Sequence, residues 1–241
     1  MAHTMLGLFL YVLEQLKNEK HEKKCSVSAE SKIPVTGEFY IEDIKPEKKP
    51  GYDFFKRVCD IVLSLVGGIV LLLPMGVIAI CVRLDSEGPV IYRQERLGLN
   101  GKPFMICKFR SMILSAEENG PQWAEKEDER CTRIGRFLRK TRLDELPQLW
   151  NIFVGDMSIV GPRPERRYFY EQFETYIHGF HSRLNVRPGL TGWAQVNGGY
   201  DLRPEEKIVY DMEYIKTRSV TMDLKCILKT VRLVFTHDGA R

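Results

Sequence analysis

The chain has no paired cysteines in sequence. Its six cysteines (25, 59, 81, 107, 131 and 226) are scattered, with no C-x-x-C pair, and its five histidines form no cluster beside them. That spacing excludes a disulfide framework and a thiolate or imidazole zinc site, and fits free thiols in a reducing compartment. No internal repeat is present, so a solenoid or propeller is excluded. Residues 5–16, "MLGLFLYVLEQL", lack a basic stretch before them and a small-residue cleavage site after them. A short interfacial or docking helix is therefore expected there, not a secretory signal. Charge of one sign is also scarce in excess: 36 Lys and Arg oppose 32 Asp and Glu, a net charge of +4. Such a mild basic balance suits an anionic membrane surface or phosphorylated substrates as well as nucleic acid.

With 241 residues, 44% of them hydrophobic, the chain can bury one sizeable core. Residues 1–50 read as an N-terminal extension, whose polar, lysine-rich part from 25 to 50 is expected to be a linker. Val58 to Val82 then form a 25-residue apolar run with a single charge, Asp60. As one helix it would reach about 37 Å, enough for a hydrocarbon core of about 30 Å. A fully buried helix of a globular protein is the alternative. Lys56 and Arg57 precede the run and Arg83 follows it, so positive residues flank both ends. Pro74 removes a helical hydrogen bond and invites a kink. Composition alone leaves a spanning helix and a re-entrant one open.

The remaining residues read as a soluble α/β (α+β) domain. Asn100-Gly101 marks a tight turn between two strand-like runs, and on the second of them Lys108 and Arg110 share a face. Helices are expected near 113–119, 132–140, 204–216 and 221–236. The last has cations interleaved with apolar residues and suits either a membrane interface or a core-packed terminal helix. "VGDMSIVGPRPE" and "NVRPGLTGWAQVNGG" read as Gly/Pro loops.

Within "TRLDELPQLWN", Asp144 and Glu145 admit two readings: acids in the first turn of a helix, where they complement its dipole, or reactive carboxylates. Arg163 stands between Pro162 and Pro164, and Arg187 precedes Pro188-Gly189, so these guanidiniums can be presented at little ordering cost. Arginine forks suit phosphate oxygens, although each alone also reads as an ordinary turn arginine. Acids and arginines beside an apolar segment suggest a phosphorylated substrate handled at a bilayer with a divalent cation. A non-enzymatic basic module binding anionic lipid or nucleic acid would explain the charge and the apolar run, but not the acids that interrupt the basic region.

The stretches "KFRSM", "TRLDELPQLWNIFVGDMSIVGPRPE" and "RPGLTGWAQVNG", in this order behind one hydrophobic segment, resemble the bacterial sugar transferase family. These are the monotopic polyprenyl-phosphate phosphoglycosyl transferases, and the resemblance covers residues 51 to 236. It implies transfer of a sugar-1-phosphate from a UDP-sugar to undecaprenyl or another polyprenyl phosphate. UMP leaves, and the product begins an oligosaccharide or polysaccharide. It also implies Asp144 as nucleophile, forming an aspartyl-phosphosugar, and Glu145 with Asp144 at Mg²⁺. Lys108, Arg139 and Asp211 match further active-site positions, while Arg163, Pro164 and Arg187 match phosphate-binding loops. The implied architecture is a re-entrant helix over 51–84, broken at Pro74, and a cytoplasmic catalytic domain over 85–241 with interfacial amphipathic helices. It would sit on the cytoplasmic leaflet of a bacterial inner membrane. Nucleic acid is not expected as a partner, and a homodimer is compatible with the sequence without being required by it. In the family the break often reads Ser-Pro, whereas here it is Leu73-Pro74, which removes one hydroxyl that could satisfy freed backbone groups.

Overall fold

The computed structural model describes residues 38–41, 44–118, 120, 128–199 and 202–236. The helix expected at 5–16 and most of the expected linker lie outside these residues.

Two helices open the described chain after a short strand, β1 (Phe39–Tyr40): α1 (Pro50–Val70), with proline in its first turn, and α2 (Leu72–Asp85). They meet at Leu71 (φ −90°, ψ 2°) with a bend of 62°. The bend was expected at Pro74 and falls one turn earlier. Pro74 has no N–H for the carbonyl four residues back, that of Val70, so the ladder opens there. It closes again on either side, through Leu71 N to Gly67 O (2.9 Å) and Met75 N to Leu71 O (2.8 Å). Among the described residues no single helix is long and apolar enough to cross a membrane, whereas this bent pair passes that test together.

The first of these helices is amphipathic in the inverted sense. Asp60 and Ser64, one turn apart, are each 3% exposed, while Val62, Leu63, Val66, Ile69, Val70, Leu72, Leu73, Val77 and Ile80 are all at least 50% exposed. A side chain at Gly67, the next small position on the inner stripe, would meet Leu149 at 3.5 Å. The polar and small stripe thus faces protein, and the aliphatic side chains face outward, the reverse of a helix covering a water-soluble core.

The remaining chain builds three two-stranded sheets, among the described residues, packed with helices. An antiparallel hairpin pairs β2 (Ile91–Leu97) with β3 (Pro103–Phe109), placing Tyr92 opposite Lys108. Its turn is the expected one: Asn100 (φ 56°) and Gly101 (φ 72°) both take left-handed conformations. Then follow α3 (Arg133–Thr141) and α4 (Gln148–Val154), β4 (Ser158–Val160), α5 (Arg167–Glu174), β5 (Ile177–His178), β6 (Gly189–Thr191), α6 (Trp193–Asn197), α7 (Pro204–Thr217) and α8 (Val220–Thr236). The two Gly/Pro stretches contain β4 and β6, which pair in parallel. Their backbones approach so closely that a Cβ at Gly189 would stand 2.1 Å from Gly161 N. The helix expected near 113–119 is only a 3₁₀ turn, Leu114–Glu117.

A core of Val160, Ile177, Phe180, Ile208, Tyr214 and Ile215 lies under these elements. The inner face of α8 joins it through Met222 and Cys226, leaving Val220, Val231 and Val234 exposed, so the terminal helix is core-packed along one side. The end of the expected linker is stitched to this domain. There β1 pairs in parallel with β5, Ile41 and Ile44 pack against the core, and Asn185 Nδ2 donates to Ile44 O at 3.0 Å.

Tyr52, Asp53 and Lys56 at its start join α1 to Arg218 and Asp223, and two side chains further along hold its middle. Asp60 Oδ1 accepts from Ile159 N (2.9 Å) and Ser158 Oγ (3.1 Å) at β4. Arg57 donates to the last carbonyls of α4, Ile152 O at 2.7 Å and Phe153 O at 2.8 Å. Replacing Asp60 by Ala would strand a buried N–H and hydroxyl, so Asp60→Ala is expected to cost about 1–3 kcal/mol of stability, and Asp60→Asn less because it keeps an acceptor. Thermal unfolding in detergent checks this, and an Asp60→Ala protein as stable as wild type would refute the role.

Candidate active site

The acids at 144 and 145 occupy a turn that neither flanking helix can absorb. Thr132 Oγ1 accepts from Gly135 N (3.0 Å) to start α3, and Arg142 in the left-handed region (φ 59°) ends it. Leu143–Glu145 then forms a 3₁₀ turn, and α4 begins only at Gln148, with Pro147 at its N-cap and no side-chain cap. The acids therefore precede the helix instead of standing in its first turn, and the capping reading does not describe them. Hydrophobic neighbours fix the turn: Leu143 and Leu146 pack with Leu138 and Phe109 against Val82 of α2.

Two further elements aim side chains at this turn. From β3 comes Lys108, and from the loop after β4 comes Arg163. Glu145 Oε1 accepts from Lys108 Nζ at 2.9 Å and from Arg163 Nη2 at 2.5 Å. Burial pushes the Glu145 carboxyl up, but Arg163 and Lys108 outweigh it and hold the group well below the usual carboxylate range. Asp144 is 8% exposed. Its burial is the larger influence and raises it to about 6, against the pull of Lys108 and with the push of Glu145. Neighbouring carboxyls thus differ sharply, one firmly ionised and one carrying a high cost of charge. Arg139 of α3 directs Nη1 to Cys131 Sγ at 3.2 Å. On α7, Asp211 is buried with Arg183, whose Nε donates to its Oδ2 at 2.7 Å. Burial raises Asp211 as well, opposed by Arg183.

Lys108, Arg139, Asp144, Glu145, Arg163 and Asp211 all line one cavity of about 420 Å³. Pro164 and Arg187 do not. The Pro164 carbonyl instead accepts from Arg96 Nη1 at 3.2 Å. Arg187 is exposed, lies outside this cavity and donates from Nε to Gly155 O at 3.2 Å, beyond the end of α4. It serves the C-terminal end of α4 with Arg57, where carbonyls lack helical partners.

Several lining residues were given no role in the site from sequence, among them Arg110, Arg142, Arg183 and Lys207. The spacing of Lys207 and Asp211, four apart on α7, was a usable signal, since such residues share a helix face. Burial lowers the Lys207 amine, and Glu165 opposes the shift. Among the described residues no group of three or more His, Cys, Asp or Glu side chains gathers. A cation held here would have the two adjacent carboxylates and would take its other oxygens from substrate and water. That donor set suits Mg²⁺, which binds few carboxylates and keeps several waters or phosphate oxygens. An anionic, phosphorylated ligand with a carboxylate beside it is what this assembly of cations and acids can accommodate.

Comparison with known proteins agrees with this chemistry. A 44% identical relative from Aeromonas hydrophila, aligned over 80% of this chain and 46% of its own length, is named UDP-N-acetylgalactosamine-undecaprenyl-phosphate N-acetylgalactosaminephosphotransferase. Two others are named UDP-glucose:undecaprenyl-phosphate glucose-1-phosphate transferase. The one from Escherichia coli is 42% identical over 77% of this chain and 41% of its own, and the one from Caulobacter vibrioides 40% over 81% and 75%. The chain thus spans less than half of the first two relatives. The profile described as bacterial sugar transferase matches residues 51–237. With that match running from the start of α1 to the end of α8, the chain belongs to the bacterial sugar transferase family.

Proposed function

We propose that this protein is a phosphoglycosyl transferase that moves a sugar-1-phosphate from a UDP-sugar to a polyprenyl phosphate, releasing UMP. The observation that carries this reading is the pair Asp144–Glu145 in one cavity with Lys108, Arg139 and Arg163. In the first step an Asp144 oxygen bonds to the sugar-linked phosphorus of the donor, and the bond from that phosphorus to the UMP oxygen breaks. In the second, a phosphate oxygen of the polyprenyl acceptor attacks the same phosphorus and Asp144 leaves as a carboxylate. Lys108 and Arg163 favour ionised carboxylates here and stand ready to pair with phosphate oxygens. Mg²⁺, held by Glu145 and Asp144, would neutralise charge on the diphosphate.

A lipid-borne acceptor agrees with the outward aliphatic face of α1 and α2 and with exposed Phe137 and Trp150 on α3 and α4. The reading places the bent pair as a re-entrant element in the cytoplasmic leaflet of the inner membrane, both ends on one side. Basic residues at both ends and the 62° bend support this. The sugar is left open: relatives of nearly equal identity are named for N-acetylgalactosamine and for glucose.

Asp144→Asn should abolish turnover of UDP-sugars in the presence of polyprenyl phosphate and Mg²⁺, measured as UMP release. Wild type given UDP-sugar alone should gain the mass of a sugar phosphate on the peptide carrying Asp144, and lose it on addition of polyprenyl phosphate. The same substitution should stabilise the fold. Because the folded pKa is raised, the contribution of Asp144 is present below 3.8 and is lost as pH rises through about 6. Asparagine does not titrate, so Asp144→Asn should exceed wild type by about 1–3 kcal/mol above that range, the gap closing in acid. Undiminished turnover in the variant would end the nucleophile assignment.

Topology has its own test. Single cysteines near Tyr52 and Ser86, with native cysteines removed, should both resist an impermeant reagent in intact cells. Labelling of either from outside would refute the re-entrant reading. Pro74→Leu restores the N–H for Val70 O and should shift the pair toward spanning, since unpaired backbone is costly in hydrocarbon.

A further inference from the structure

The loop that carries Arg163 is poor in donors, because Pro162 and Pro164 have no N–H. Its carbonyls are the handles by which the protein can hold it, and two successive ones are held by arginines. Arg183 Nη2 donates to Arg163 O at 2.9 Å, and Arg96 Nη1 donates to Pro164 O at 3.2 Å. Arg183 is itself fixed on three sides. Its Nε donates to Asp211 Oδ2 at 2.7 Å, and its guanidinium lies 4.9 Å from the Phe180 ring centroid and 5.8 Å from that of Tyr170. The Arg183 and Asp211 side chains are each 2% exposed.

A buried ion pair is a weak source of stability, because desolvation offsets most of the attraction. What the guanidinium supplies that an apolar pair could not is a rigid fork with two edges, one on a carboxylate and one on a main-chain carbonyl. We propose that Arg183, anchored by Asp211, is a positioning residue that fixes the Arg163 loop and thereby the place of the Arg163 guanidinium beside the acid pair. The chain of contacts runs from α7 through the 3₁₀ segment Phe180–Asn185 to the loop, and ends on Glu145 Oε1. On this view the Asp211 carboxylate is committed to Arg183 and acts on the reaction through it.

The kinetic test rests on the phosphoglycosyl transfer reading; a second test does not. In the full-length protein in detergent, Arg163→Lys and Arg183→Lys are combined in a double-mutant cycle read by UMP release. Lysine keeps the charge beside Asp211 but cannot serve both partners through one fixed fork. Each single variant should lose about tenfold or more, the loss of one charge-assisted hydrogen bond expressed as a rate. Together they should lose little beyond Arg163→Lys alone, because residues acting through one another are non-additive. Losses that multiply would overturn the proposal. Hydrogen exchange, followed by mass spectrometry, supplies the activity-independent arm. Arg183→Lys should raise exchange in the peptide spanning 161–168 and leave that of α8 unchanged. Unchanged exchange at 161–168, or a uniform rise everywhere, would also overturn it. Should Arg183→Lys fail to fold, Asp211→Asn, which keeps the side chain's shape but removes the charge that strengthens the Nε bond, replaces it in both arms. A wild type that releases no UMP would defeat the functional reading and leave the exchange arm to decide this one.

Discussion

Glu145 is the point on which the site converges. One of its oxygens holds Lys108 from the hairpin and Arg163 from the loop after β4, while its own backbone belongs to the turn between α3 and α4. Three separately built pieces are thereby brought to one locus. The arrangement carries an internal opposition. Two cations beside Glu145 favour its ionised form, and the same ionised group, one residue away, adds to the burial that disfavours charge on Asp144. A carboxylate kept buried and costly to ionise is poorly solvated, which on the proposed reading of Asp144 as nucleophile removes part of the shell it must shed before attack.

Much of this was legible in the sequence because it was written in local chemistry. Asn100-Gly101 required left-handed backbone and obtained it; the ends of α3, α7 and α8 fell within a residue or so of expectation; the acid pair, Lys108, Arg139 and Arg163 came together. Where expectation and structure part, the cause is non-local. Arg187 was grouped with Arg163 by its proline-bounded setting, but it lies outside the cavity that Arg163 lines and donates to the Gly155 carbonyl past the end of α4. The lysine-rich stretch read as a linker by composition, yet Phe39, Ile41 and Ile44 provide enough apolar surface to dock its last part. Arg183 sits in "HGFHSRLN", a stretch without a pattern, and its role depends on aromatic rings and an acid far off in sequence.

The helix break shows how a rule can be right in kind and displaced in position. A proline acts on the carbonyl one turn before it, so the hinge belongs at Leu71 and not at Pro74 itself. Likewise Asp60, the sole charge of the apolar run, was visible as an anomaly. Its meaning required knowing that β4 would present Ile159 N–H and Ser158 hydroxyl to it.

The inverted helix α1 has a consequence for how the molecule can be taken apart. Its inner stripe supplies the acceptor for an edge of β4, and Arg57 supplies donors for the end of α4, the helix that begins just after the acid pair. Cutting the chain at the start of the hairpin would remove an unwanted greasy surface and, with it, partners of backbone groups two elements from the catalytic turn. A version trimmed of α1 and α2 is therefore not the same domain with two helices removed. The outward aliphatic helix and the elements beside the acid pair share hydrogen bonds, so making this surface polar calls for repainting the outer face of α1 while leaving its inner stripe intact.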